Sequence, residues 1–149
     1  MVITQQDVFE IKRTDMKKII AIILLVSIAT VGGIIWWNSP VHFLNVEDVA
    51  YIKVFNGNNG KSYVIDNKED VSYIVNNISD TELRKTKISL GYMGYKFRLS
   101  FFNVDGKEID KFILNDENTI RKDPFFYESK TGELCIEYLW ELDDKILAE

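Results

Sequence analysis

From Ile19 to Trp37 the chain reads IIAIILLVSIATVGGIIWW, without a charged residue and with only Ser27 and Thr30 as hydroxyls. At about 1.5 Å rise per residue, a helix over 19–37 spans roughly the 30 Å hydrocarbon core of a bilayer. A helix apolar on every side suits lipid better than the half-wet interior of a domain of about a hundred residues. The pattern therefore predicts a transmembrane helix, with the bilayer as the partner of residues 19–37.

The flanks give the orientation. Lys12, Arg13, Lys17 and Lys18 stand just before the run, and no Lys or Arg follows until Lys53. The positive-inside rule puts the N-terminus in the cytoplasm and the C-terminal part outside the cell membrane. Trp36 and Trp37 fall where an outer aromatic belt would sit, and Asn38, Ser39 and Pro40 end the helix. A cleaved signal peptide competes with this reading, but its apolar region is about 7 to 15 residues long and ends near an A-x-A-like site, which the run lacks. An uncleaved anchor is the expectation. Residues 1–18 are a short cytoplasmic tail, or an extension ahead of a start at Met16, since Met16-Lys17-Lys18 also reads as a translation start. Ala29 and Gly33 form a small-xxx-small pair of little weight.

After residues 38–48, read as a juxtamembrane linker, the period changes. Val49 to Phe55 and Ser62 to Ile65 are β-branched and aromatic, with Asn56-Gly57-Asn58-Asn59-Gly60 between them, which predicts two strands and a turn. Asp66 or Asn67 can cap a helix in which Val71, Ile74, Val75 and Ile78 repeat at i, i+3, i+4, i+7. Leu83 to Leu90 and Tyr95 to Phe102 read as strands joined in a hairpin by Gly91–Gly94. In the second of them Tyr95, Phe97, Leu99 and Phe101 alternate with Lys96, Arg98 and Ser100. Asp105-Gly106 turns into Lys107 to Leu114, whose register stays open between Ile109/Ile113 and Phe112/Leu114. Thr119 to Arg121 and Phe125 to Tyr127 are further extended pieces. A helix over about Glu133 to Ile146 closes the chain, with Leu134, Tyr138, Leu139, Leu142 and Ile146 on one face. The fold class is α+β: β-β-α-β-β-β-(β)-α over 49–147, a mostly antiparallel sheet with helices on one face.

Composition narrows the chemistry. Of 149 residues one is cysteine and one is histidine, so a disulfide framework, a Cys-rich zinc site and most catalytic triads are excluded. Residues 38–149 hold 14 Lys and Arg against 20 Asp and Glu, a net charge of −6, which argues against bulk nucleic-acid binding.

The strand with a glycine turn over Ile52 to Ile65, the Asp-Val-x-x-Ile helix of Asp70 to Ile74, the Tyr-x-Phe-x-Leu strand running into Asp-Gly-Lys (Tyr95 to Lys107), and Tyr127-Glu-Ser-x-x-Gly-Glu-Leu leading into the last helix form a pattern. It resembles small extracytoplasmic α+β domains of Firmicutes lipoproteins and single-pass membrane proteins, over roughly residues 49 to 147. The resemblance implies fold and location, and brings no catalytic residue. Unlike the lipoproteins this chain has no Leu-x-x-Cys near its start, which favours the helix anchor.

Single residues add little chemistry. His42 reads as a solvated juxtamembrane side chain and Cys135 as a small buried hydrophobe. Asp143-Asp144 reads as a solvated helix end, and Asp105-Gly106 as turn chemistry without calcium-loop spacing. Gly57-x-x-Gly60 lacks the Lys-Ser/Thr of a phosphate loop. The 91–94 hairpin would align Lys85, Lys87, Lys96 and Arg98 as a basic stripe, either a surface for an acidic partner or a set neutralised by nearby carboxylates. Phe125-Phe126-Tyr127 reads as a core strand more readily than as a contact patch. The expectation is a single-pass protein with a non-catalytic extracytoplasmic domain that binds an envelope protein or peptide, using neither cofactor nor metal. The alternatives are a carboxylate-dependent envelope enzyme and a toxin self-protection protein.

Overall fold

The computed structural model describes residues 5–44 and 48–148, and the side chains from residue 16 to 146 outside the same gap. Two units follow one another, Met1–Ser39 and Pro40–Glu149. The first is a single helix, α1 (Gln5–Asn38). It begins well before Lys17, so the described part of the expected tail is helical. Met16–Asn38 is long and apolar enough to cross a membrane, and none of it is buried in the protein. Ser27, Thr30 and Asn38 turn their polar groups back onto carbonyls one turn earlier (2.8 Å each), so they add no unsatisfied donor to the apolar surface.

The second unit is the α+β domain that the periodicities predict. Its elements are β1 (Tyr51–Asn56), β2 (Ser62–Ile65), α2 (Lys68–Asp80), β3 (Leu83–Ile88), β4 (Phe97–Phe102), β5 (Glu108–Leu114), β6 (Thr119–Lys122), β7 (Phe125–Ser129) and α3 (Ile136–Ala148). All strand pairs are antiparallel and form one sheet in the order β2-β1-β4-β5-β6-β7-β3.

Alternation sorts the strands into two faces. Ile52, Val54, Leu99, Phe101, Phe112, Leu114, Ile120 and Tyr127 point to the helices and are buried. This settles the open register of β5: Phe112 and Leu114 face the core, while Ile113 is buried on the other side and Ile109 is exposed. α2 starts at Asn67, whose Oδ1 accepts from the Glu69 amide at 2.8 Å and the Asp70 amide at 3.3 Å. It buries Val71, Ile74, Val75 and Ile78, the face its spacing predicts. α3 packs through Leu139 and Leu142 and sets Trp140 edge-on to Phe97, with ring centroids 4.6 Å apart. It begins three residues later than the pattern suggests, because Asn77 of α2 accepts from the Cys135 amide and donates to the Glu133 carbonyl (2.8 and 3.0 Å). Ile146, read as part of the packed face, is 37% exposed beyond the last contact.

Three further expectations are corrected. Residues 38–48 are in part domain: the Val41 amide bonds to the Leu83 carbonyl at 2.8 Å as an extra rung on β3, and Phe43 is buried against Phe112 and Tyr127. Asn45–Glu47 lie outside the described residues. Asp143 is no solvated helix end but 3% exposed; its Oδ2 accepts from the side-chain amides of Asn56 (2.9 Å) and Asn59 (3.1 Å), which locks the β1–β2 turn to α3. In that turn a Cβ on Gly57 would lie 2.5 Å from the Tyr95 carbonyl oxygen, so only glycine fits.

The third correction is the hairpin of β3 and β4. β3 is the far edge strand and pairs with β7, while β4 sits between β1 and β5, four strand steps away. Phe97, Leu99 and Phe101 need flanking strands on both sides to lose all exposure, and a direct hairpin would have set four cations opposite one another. Eight residues, 89–96, can extend to about 26 to 29 Å. That covers four steps of about 4.8 Å, roughly 19 Å, so this loop crosses the face away from the helices.

Candidate functional site

The outer face of the sheet carries the charge. Register places Phe55, Arg98, Ile113, Arg121, Phe126 and Lys87 side by side across β1, β4, β5, β6, β7 and β3. Cation and apolar side chain alternate along the row. The Arg98 guanidinium lies 4.8 Å from the Tyr95 ring centroid and 5.5 Å from that of Phe55, and Lys87 Nζ lies 4.9 Å from that of Phe126. A second line repeats the device, with Lys53 Nζ 4.7 Å from the Phe102 centroid. Rings hold these cations through their negative faces and leave the N–H edges to water or a ligand.

Beside the row lies a groove of about 420 Å³ lined by Arg98, Lys111, Phe112, Ile113, Arg121, Lys122 and Asp123. Lys111 pairs with Glu108 at 3.6 Å, Lys122 with Asp110 at 2.5 Å, and Arg121 Nε with Asp123 at 3.7 Å. Arg98 has no ion pair among the described residues; its contacts are aromatic. Arg121 is 8% exposed and works inward: its Nη1 donates to the carbonyls of Tyr92 (2.7 Å) and Gly94 (3.3 Å), pinning the crossing loop. Tyr92 then stands edge-on to Phe126 at 5.0 Å, so the loop closes over that end of the row.

The four residues of the expected stripe are therefore distributed. Arg98 lines the groove, and Lys87 ends the row. Lys96 lines a smaller groove of about 250 Å³ with Tyr92, Tyr95 and Asp116. Lys85 is in register with Tyr127 on the helix side, because the bulge between Lys85 and Lys87 shifts the alternation by one. Lys111, Arg121 and Lys122 escaped the sequence reading, since their strands reach Arg98 only through the pairing order of the sheet. On α1, Lys17 and Lys18 begin the apolar stretch and Trp36 and Trp37 end it, as their sequence positions require.

Elsewhere the chemistry is sparse. His42 is exposed and shares a groove of about 300 Å³ with Asp48 and Asp110, the latter already held by Lys122. Among the described residues no cluster of His, Cys, Asp and Glu could hold a metal. Cys135 is buried, and burial pushes its thiol up to about 12. Tyr138 donates to Asp70 at 2.5 Å, and that bond, with burial, lifts its hydroxyl to about 12. Both groups stay protonated at neutral pH and neither faces a groove that the outer row lines. No protein-family model, curated protein or solved structure matches the chain.

Proposed function

We propose that this is a single-pass membrane protein, N-terminus inside, whose external α+β domain binds an acidic segment of an envelope protein on the outer face of its sheet, without catalysis. The observation that carries the reading is Arg98. It stands at a groove in the middle of the sheet, held between the rings of Tyr95 and Phe55, with no carboxylate partner among the described residues. In a region of net charge −6, a row of ring-held cations is a local reversal of sign suited to an acidic partner. The anchor reading is supported by the uncharged 19–37 segment, its basic N-terminal flank and the tryptophans at its far end.

Two measurements test this. Protease added to intact protoplasts should remove everything from Pro40 onward and leave a membrane-bound fragment; a protected domain contradicts the orientation. Binding of a fluorescent oligoglutamate peptide to the detergent-solubilised chain should weaken steeply between low and about 0.5 M salt, because screening acts beyond a few Å there. Salt-independent binding, or none at low salt, contradicts the acidic partner.

A further inference from the structure

The turn between β1 and β2 contains Asn56-Gly57 and Asn59-Gly60, and no other asparagine in the chain precedes a glycine. In this dipeptide the asparagine side-chain amide is most open to attack by the following backbone nitrogen, since glycine has no Cβ to hinder the approach. The structure treats the two pairs differently. Asn56 has no exposure, and its Nδ2 donates to Asp143 Oδ2 at 2.9 Å. Gly57 is walled in: a Cβ there would meet the Tyr95 carbonyl oxygen at 2.5 Å and the Tyr95 ring at 2.7 Å, and the Gly57 amide donates to the Lys96 carbonyl at 2.6 Å. Asn59 and Gly60 are exposed, and nothing lies within 4 Å of the place that a Cβ on Gly60 would take.

Three hydrogen bonds restrain the exposed pair. The Gly60 amide donates to the Asn56 carbonyl and the Lys61 amide to Asn59 Oδ1, both at 2.9 Å, while Asn59 Nδ2 donates to Asp143 Oδ2 at 3.1 Å. All three belong to a turn whose residues 57–61 are exposed, so opening it costs far less than unfolding the sheet. Freeing Asn56-Gly57 means parting the turn from β4 as well.

We infer that Asn59-Gly60 is a site of self-deamidation whose product undoes half of the clamp between the turn and α3, while Asn56-Gly57 is spared. In the open turn hydroxide takes the Gly60 amide proton and the nitrogen bonds to Asn59 Cγ. The Cγ–Nδ2 bond then breaks, and Nδ2 takes a proton from water and leaves as ammonia. A second water opens the cyclic imide at either carbonyl, which gives aspartate or isoaspartate at position 59. The sum is one water consumed and one ammonia released, with no oxidation or reduction. The product sets an anion where an amide donor stood, beside a carboxylate that is 3% exposed and has no hydrogen-bond partner at Oδ1. Asp143 then keeps only the Asn56 amide, and two carboxylates at a buried position repel. The inference depends on neither the anchor nor the acidic partner.

The test keeps the full chain in detergent at mildly alkaline pH, folded or in urea, and samples it over time. Trypsin cuts after Lys53 and Lys61, and fragment spectra of the 54–61 peptide place each conversion of amide to acid. In the folded chain position 59 should convert faster than position 56 by about tenfold or more, and in urea the two rates should come together. Equal rates at the two positions of the folded chain, or an unchanged position 59 while the urea sample converts, overturns the site. Asn59→Asp should lower the urea midpoint of the folded chain further than Asn59→Ala, which removes the donor without adding charge. Equal midpoints would show that Lys61 or solvent absorbs the new charge, and would overturn the release of the clamp.

Discussion

On the helix side of the sheet Ile52, Val54, Leu99 and Leu114 have essentially no exposure, while one residue along on the same strands stand Lys53, Arg98 and Ile113. Two chemistries alternate at a period of two residues. The inner face is closed by α2 and α3, and Asp143 of α3 is tied through Oδ2 to Asn56 and Asn59. On the outer face, the cations rest on rings, and the loop that crosses from β3 to β4 meets the row at Phe126, Arg121 and Arg98. The inner face holds most of the buried apolar residues, with Ile113 and Phe126 buried on the other, and the outer charges set what the domain can meet.

The inner face is where substitutions should be most costly. Phe97→Ala removes a ring with no exposure and its contact with Trp140, and should destabilise the domain by about 3 to 5 kcal/mol; Ile74→Ala, from α2, should cost about 2 to 5 kcal/mol. Chemical denaturation checks both, and a loss below about 0.5 kcal/mol, the surface range, would mean that the faces are wrongly assigned. Asp143→Ala leaves two amide donors without their acceptor and should cost about 1 to 3 kcal/mol, whereas its exposed neighbour in Asp144→Ala should stay within about 0.5 kcal/mol. Equal effects would dissolve the contrast between a buried clamp and a solvated charge.

Alkaline pH sharpens the same division. Cys135 and Tyr138 have values raised to about 12 from ordinary ones of 9.0 and 10.0, so folding favours their neutral forms. Their contribution is complete below about pH 9 and is lost as pH rises toward 12, because the unfolded chain releases these protons first. Stability followed by urea titration should therefore be level from pH 7 to 9 and fall above it. A rise in that window contradicts the protonated assignments.

Most of the inner face was legible in the sequence. The i, i+3, i+4, i+7 spacing of α2 and the strict alternation of β4 report burial on one side directly, and Asn67 marks the helix start. What was not legible depends on pairing between distant strands. Nothing in Leu83 to Ile88 states that its partner is β7, and local closeness favoured the hairpin with β4 that does not form. The bulge near Thr86 puts Lys85 and Lys87 on opposite faces, which alternation alone assigns to one. Phe112, Ile113 and Leu114 hid the register of β5 because both faces are buried there. Arg121 and Lys111 reach Arg98 only through that register, so the groove was invisible until the strands were ordered. Asp143 and Phe43 were missed for a related reason: each is buried by residues far along the chain.

The outer face should answer to the smallest change in stability and the largest in recognition. Exposed ring-held cations contribute about 0.5 to 1 kcal/mol each, so Lys87→Ser with Arg98→Ser should lower stability by no more than about 2 kcal/mol. Measured on one preparation of the full chain, the double variant should keep its fold while losing about tenfold or more of its affinity for oligoglutamate at low salt, a change of about 1.4 kcal/mol in binding. Lost stability with unchanged peptide affinity would contradict the account, because these side chains would then be packing elements of the sheet and its outer face would not be the binding surface.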